Sequence, residues 1–180
     1  MERLILTNGN VILPTRIEPR MAVVCRDGRI ERILPTDAVT PEAGDRVIDA
    51  RGGYIAPGFI DMHVHGGGGH DFMDGTVEAF LGAAETHARY GTTALVPTTL
   101  TCTDEELYRE VFREADRRNE HGAKLLGLHL EGPYFSPRQS GAQDPHYLKT
   151  PRREEYEAIL DAAPEIIRWS IAPELDGALE

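Results

Sequence analysis

Two histidines one residue apart, His63 and His65, close the apolar run Gly58-Phe59-Ile60-Asp61-Met62-His63-Val64-His65-Gly66. In an extended strand, positions two apart share a face, so both imidazoles point at one place. Neutral imidazole suits Zn, Fe, Co, Ni or Cu, so two rings on one face make the beginning of a metal site. An isolated His-x-His is more often a polar strand end than a ligand pair. Asp61, two residues earlier on the same face, changes that balance, because a carboxylate there can orient a ligating histidine. A second group stands in Leu128-His129-Leu130-Glu131-Gly132-Pro133-Tyr134, where a carboxylate ends another apolar run and Gly-Pro breaks the chain at once. Glu131 can ligate through oxygen, and can bridge two ions if His63 and His65 hold one of them. His129 lies two residues deeper on the same face, where a hydrogen-bonded histidine beneath the site is favoured over a ligand.

Other polar residues carry weaker signals. Gly66-Gly67-Gly68-Gly69 lets the backbone approach a ligand closely and suits a loop at a site mouth, but it lacks the Gly-Lys-Ser/Thr ending of a phosphate-binding P-loop. His70, Asp71 and Asp74 then read as loop polar residues. Cys25 and Cys102 lie far apart in unrelated segments, outside any CxxC, and read as small packing residues of a reduced cytoplasmic protein.

Strands must aim these side chains. Residues 1–55 hold short apolar runs, Leu4 to Leu6, Val11 to Leu13, Met21 to Cys25, Ile30 to Leu34 and Arg46 to Asp49. Asn8-Gly9-Asn10 and Asp27-Gly28-Arg29 punctuate them like hairpin turns. This is an all-β portion too small to close a core alone. From residue 56 to 180 strands alternate with longer helical stretches, the βα rhythm of a parallel sheet or barrel. Phe59 to Val64 predicts a strand. Val77 to Tyr90 predicts a helix with Val77, Phe80, Leu81 and Ala84 inward and Gly91 past its end. Thr92 to Leu100 is the second strand. Thr103-Asp104-Glu105-Glu106 is a capping-box pattern opening a helix with the stripe Leu107, Val111 and Ala115, and with Gly122 as its stop. Leu125 to Leu130, a helix from Pro151 to Ala163 with Tyr156, Ile159 and Leu160 inward, and Ile166 to Ala172 follow. Four such strands are about half of an eightfold barrel, which takes about 250 residues.

Composition excludes several classes of function. Thirty acidic against nineteen basic residues give a net charge of −11, with no electrostatic footprint for nucleic acid or an anionic membrane surface. No apolar run approaches the roughly 20 residues of a spanning helix, and the first residues lack the apolar stretch of a signal peptide.

The run from Ala56 to His65 resembles the first barrel strand of the amidohydrolase superfamily. His129-Leu130-Glu131-Gly132-Pro133-Tyr134 is similar to a more specific signature, that of the N-acetylglucosamine-6-phosphate deacetylases. Gly91-Thr92-Thr93, Pro97-Thr98 and Ile171-Ala172-Pro173-Glu174 follow in the order that family has, so the resemblance spans the chain. It implies an α/β protein, the first four βα units of a TIM-type (β/α)8 metal-dependent hydrolase barrel behind a small β-sandwich portion at 1–55. The implied activity is hydrolysis of the acetamide of an amino-sugar phosphate, N-acetylglucosamine 6-phosphate, with one or two divalent ions (Zn, Fe, Co, Mn or Ni, undistinguished) on Glu131, His63 and His65. It also implies substrate contact by Gly141-Ala142-Gln143, with Ala142 and Gln143 as candidates. Many members have histidine where Gln143 stands, so a titrating contact is lost there. Arg138 reads as a solvated loop cation. The family takes two further metal-binding histidines and its catalytic aspartate from strands that would follow residue 180, and it is commonly homodimeric. No catalytic residue is therefore assigned within this chain, and the expectation is that the 180 residues alone are inactive. Two alternatives remain: another amidohydrolase acting on cyclic amides or aminoacyl groups, and a non-catalytic half-barrel that serves as an assembly module.

Overall fold

The computed structural model describes residues 3–102 and 105–179, and the chain divides into two compact units, Met1–Pro57 and Gly58–Glu180. In the first unit the strands are β1 (Arg3–Ile12), β2 (Ile17–Arg26), β3 (Arg29–Pro35), β4 (Arg46–Asp49) and β5 (Tyr54–Ile55). They form one sheet in the order β3-β2-β1-β4, with β5 also beside β1. Antiparallel pairing joins β1 to β2 and β2 to β3, while β4 and β5 run parallel to β1. Asp27 and Gly28, both at positive φ, make the two-residue turn between β2 and β3, as a right-twisted hairpin requires. Ile5, Val11, Ala22, Val23 and Val24 are its buried apolar residues. Among the described residues of this unit there is one layer, and the second layer of a sandwich is not formed by them.

Asn8-Gly9-Asn10 is not a turn. It is a bulge inside β1, with Asn8 at φ 54° and register shifts on both sides of Gly9. The polar groups that made it look like a turn are satisfied by the 49–53 loop instead. Asn8 Nδ2 donates to Asp49 Oδ1 at 3.0 Å and Asn10 Nδ2 to the Gly52 carbonyl at 2.6 Å. A Cβ on Gly9 would fall 2.2 Å from Ile55 Cδ1.

The second unit continues with β6 (Phe59–Val64), the short hairpin β7 (Gly66–Gly67) and β8 (His70–Asp71), α1 (Val77–Arg89), β9 (Thr92–Pro97), α2 (Glu105–Arg118), β10 (Lys124–Leu125), β11 (Leu128–Glu131), α3 (Arg153–Ala162) and β12 (Ile166–Ser170). β6, β9 and β10 pair in parallel, as do β11 and β12, and a parallel bridge between Thr98 and His129 joins the two sets. Each long strand thus lies beside its successor in sequence. The expected run from Leu125 to Leu130 is split in two around Leu126-Gly127.

Capping explains where α1 begins and ends. The Thr76 hydroxyl accepts from the Ala79 amide at 3.2 Å, and Gly91 at φ 95° turns the chain after the last turn. The Thr103 and Asp104 part of the capping pattern proposed for α2 lies outside the described residues. The inward face of α2 is Tyr108, Val111, Phe112 and Ala115, while Leu107 is 40% exposed. Two aromatic rings carry more apolar area than one leucine, so the helix turns to bury them. In α3 Tyr156 and Ile159 are half-buried and Leu160 is 47% exposed, so its inward stripe is narrower than the sequence pattern suggests. Phe72, Phe80, Leu95, Phe112, Leu125 and Leu128 centre the core of this unit, packing the first two helices on the strands.

Candidate metal centre

Backbone geometry aims the candidate ligands. β6 ends at Val64, and Val64 is tied to the strand beside it by Thr98 N–H to the Val64 carbonyl at 2.9 Å and Val64 N–H to Thr98 Oγ1 at 3.1 Å. That brackets His63 and His65 against the end of β9. Glu131 is the last residue of β11. Gly132 follows at φ 91°, where a Cβ would fall 2.4 Å from Thr101 Cγ2, so the abrupt turn after the carboxylate needs glycine. The Trp169 indole donates to the Gly132 carbonyl at 2.8 Å, and its ring stacks on Tyr134 with centroids 5.3 Å apart.

The structure brings His63, His65 and Glu131 together, with one donor atom from each within 4.8 Å of the others. His63 Nε2 and His65 Nε2 are 3.3 Å apart, and Glu131 Oε2 lies 3.6 Å from the first and 3.1 Å from the second. Three ligands about 2.1 Å from one cation at tetrahedral angles are separated by about 3.4 Å, so the spacing fits a divalent ion. Two imidazole nitrogens and one carboxylate oxygen are also a donor set such an ion takes, with coordination positions left over for water or substrate.

Beneath this group His129 is fully buried. Its Nδ1 lies 3.2 Å from Thr98 Oγ1 and its Nε2 lies 2.7 Å from Ser170 Oγ. A neutral imidazole offers one donor and one acceptor, which matches a hydroxyl on each side. Burial, then the nearby Arg168 cation, then His63 and His65 push its pKa down to about 4, so it is neutral at pH 7. With both nitrogens engaged it is a support, and its ring meets the His63 ring edge-on at 4.9 Å. Arg168 reaches from β12 to donate to the Met62 carbonyl on β6 at 3.1 Å.

The other expected residues take different places. Asp61 Oδ1 accepts from the His63 backbone amide at 3.1 Å, so its bond runs to the main chain and not to an imidazole. Gln143 is 7% exposed, and its Oε1 accepts from the Thr101 amide at 2.9 Å. Ala142 and Arg138 are exposed. Two of the four glycines pack against α1, where a Cβ on Gly67 would meet His87 at 2.9 Å and one on Gly68 would meet Thr86 at 2.1 Å, whereas Gly69 has open space around it. Asp71 and Asp74 form a reciprocal cap around Phe72. Neither Thr98, which enters the sequence pattern only as the end of the second strand, nor Ser170 is a predicted site residue. Their only signal is a small hydroxyl residue at the end of an apolar strand.

The family model described as "Amidohydrolase family" matches residues 54–180. An N-acetylglucosamine-6-phosphate deacetylase from Haemophilus influenzae is 33% identical over 154 residues, covering 85% of this chain and 40% of that protein. An N-acetylgalactosamine-6-phosphate deacetylase from Escherichia coli O157:H7 is 36% identical over 129 residues, covering 70% and 34%. The crystal structure of N-acetylglucosamine-6-phosphate deacetylase from Pasteurella multocida superposes with a TM-score of 0.86 at 30% identity, over 98% of this chain and 46% of that one. The chain therefore spans less than half the length of these relatives.

Proposed function

The chain belongs to the amidohydrolase family, and on that premise we propose that it is the first half of a metal-dependent deacetylase for N-acetylglucosamine 6-phosphate. The complete protein would add water across the acetamide C–N bond, releasing acetate and glucosamine 6-phosphate. The observation that carries this reading is the convergence of His63, His65 and Glu131 from the ends of β6 and β11 onto one point. A divalent cation held there would polarise the amide carbonyl and lower the pKa of a bound water from about 16 to about 7. The two imidazoles supply nitrogen ligands and Glu131 supplies the anionic one. His129, neutral and hydrogen-bonded on both sides, keeps a second positive charge out of the site.

Four parallel strands, each beside its successor, are proposed as half of a (β/α)8 barrel whose strand ends form the site. Ala142 and Gln143 are proposed as substrate contacts; the Gln143 carbonyl is taken by Thr101, which leaves the amide nitrogen to donate. A second reading, the C4 epimer N-acetylgalactosamine 6-phosphate as substrate, is supported by the Escherichia coli relative at 36% identity.

No residue of this chain is assigned the proton transfer to the leaving amine, so the 180 residues alone should deacetylate orders of magnitude more slowly than a complete site. The test is metal content and deacetylation of both sugar phosphates by the 180-residue chain, with Glu131→Gln alongside. Metal uptake that the variant loses, with negligible turnover, supports the proposal. Rapid turnover by the unaltered chain overturns the claim of incompleteness, and metal uptake unchanged in Glu131→Gln overturns the ligand assignment.

A further inference from the structure

Thr98 is fully buried at the end of β9, and every polar atom it owns is engaged at the candidate site. Its amide donates to the Val64 carbonyl, and its hydroxyl meets the Val64 amide, the Val96 carbonyl at 3.2 Å and His129 Nδ1 at 3.2 Å. Its own carbonyl oxygen lies 3.1 Å from His65 Nδ1. A carbonyl has no proton to give, so that hydrogen bond requires the proton on His65 Nδ1. The neutral ring then carries its lone pair on Nε2, the atom that faces Glu131 Oε2 at 3.1 Å and His63 Nε2 at 3.3 Å.

We infer that Thr98 is a positioning residue that sets the tautomer and ring orientation of His65, its hydroxyl clamping the ends of β6 and β11 so that its carbonyl stays aimed at Nδ1. The inference rests on the metal reading above. Outer groups of this kind fix the tautomer of a ligating histidine and raise its basicity, and their loss typically costs 10–100-fold in metal affinity. The His65 ring could otherwise present either nitrogen, since the main chain on each side of it constrains only where the ring begins. Thr98→Val keeps the shape and removes only the hydroxyl, whereas Thr98→Ser keeps the hydroxyl.

Two measurements on the 180-residue chain test this. Long-range 1H–15N correlation on the metal-free chain, with His65→Ala to assign the resonance, reads the tautomer directly. The expected result is the Nδ1–H form for His65 in the unaltered chain and a mixture of forms in Thr98→Val. Co2+ titration then reads affinity, with an expected loss of about 10–100-fold for Thr98→Val and recovery to near the unaltered value for Thr98→Ser. An Nε2–H ring in the unaltered chain overturns the inference without any variant, so a Thr98→Val protein that fails to fold does not shield it. So does Thr98→Val with a pure Nδ1–H ring and unchanged Co2+ affinity. If the unaltered chain takes up no Co2+, the metal reading fails, while the tautomer still decides the role of Thr98.

Discussion

The two faces of the parallel strands in the second unit meet opposite demands with the same alternation of side chains. On β11, Leu128 faces the core made by Phe80 and Phe112 of α1 and α2. The alternate residues His129 and Glu131 face Ser170, His63 and His65 instead. The apolar face is held by area removed from water, which is non-directional and tolerant of small shifts. The polar face is held by hydrogen bonds that work at one distance and one protonation state, and so it specifies geometry more than it supplies stability. A site of this kind is built on the back of a core whose strength comes from elsewhere.

Substitutions can break that contrast. The largest effect is expected from Phe80→Ala, because Phe80 is completely buried in the core. It should cost about 3–5 kcal/mol, seen as a lowered midpoint in urea, without the ligand atoms themselves being touched. A smaller effect follows from His129→Leu, which is similar in size but leaves the Ser170 hydroxyl without its 2.7 Å partner. About 1–3 kcal/mol is expected, and a loss as large as that of Phe80→Ala would show the polar face to be a stability element after all. The smallest is Glu131→Gln, whose carboxylate is partly exposed beside two imidazoles. Its unfolding free energy should change by no more than about 0.5 kcal/mol although metal uptake is lost, and a marked gain or loss of stability would blur the distinction between the faces.

The residues that carry regular periodicity were legible in the sequence. Phe59–Val64 is a strand with the predicted bounds, and α1 begins at Val77 as predicted and ends at Arg89, one residue before the Tyr90 expected ahead of Gly91. Period-two alternation put His63 and His65 on one face, the carboxylate before Gly-Pro marked Glu131 as a possible ligand, and the family resemblance joined the three. What stayed hidden depends on partners distant in sequence. Asn8-Gly9-Asn10 has the composition of a turn, and only the 49–53 loop, by taking up its polar groups, makes it a bulge. Leu107 fits the helical stripe of α2 as well as Tyr108 does, and the choice between them is made by packing against the core. Gly67 and Gly68 show no local sign of the packing that demands them, because His87 and Thr86 of α1 occupy the space their side chains would need. Thr98 offers no local signal for its role, since each group it holds comes from another part of the chain or from its own main chain.

Trp169 is the only tryptophan of the chain, and its indole N–H is bound to the carbonyl of Gly132, the residue that follows Glu131. Its ring also lies against Tyr134. A movement of the Glu131 turn would therefore alter the polarity and the stacking around one fluorophore, so the molecule carries an intrinsic optical gauge of its candidate metal centre, readable without labels.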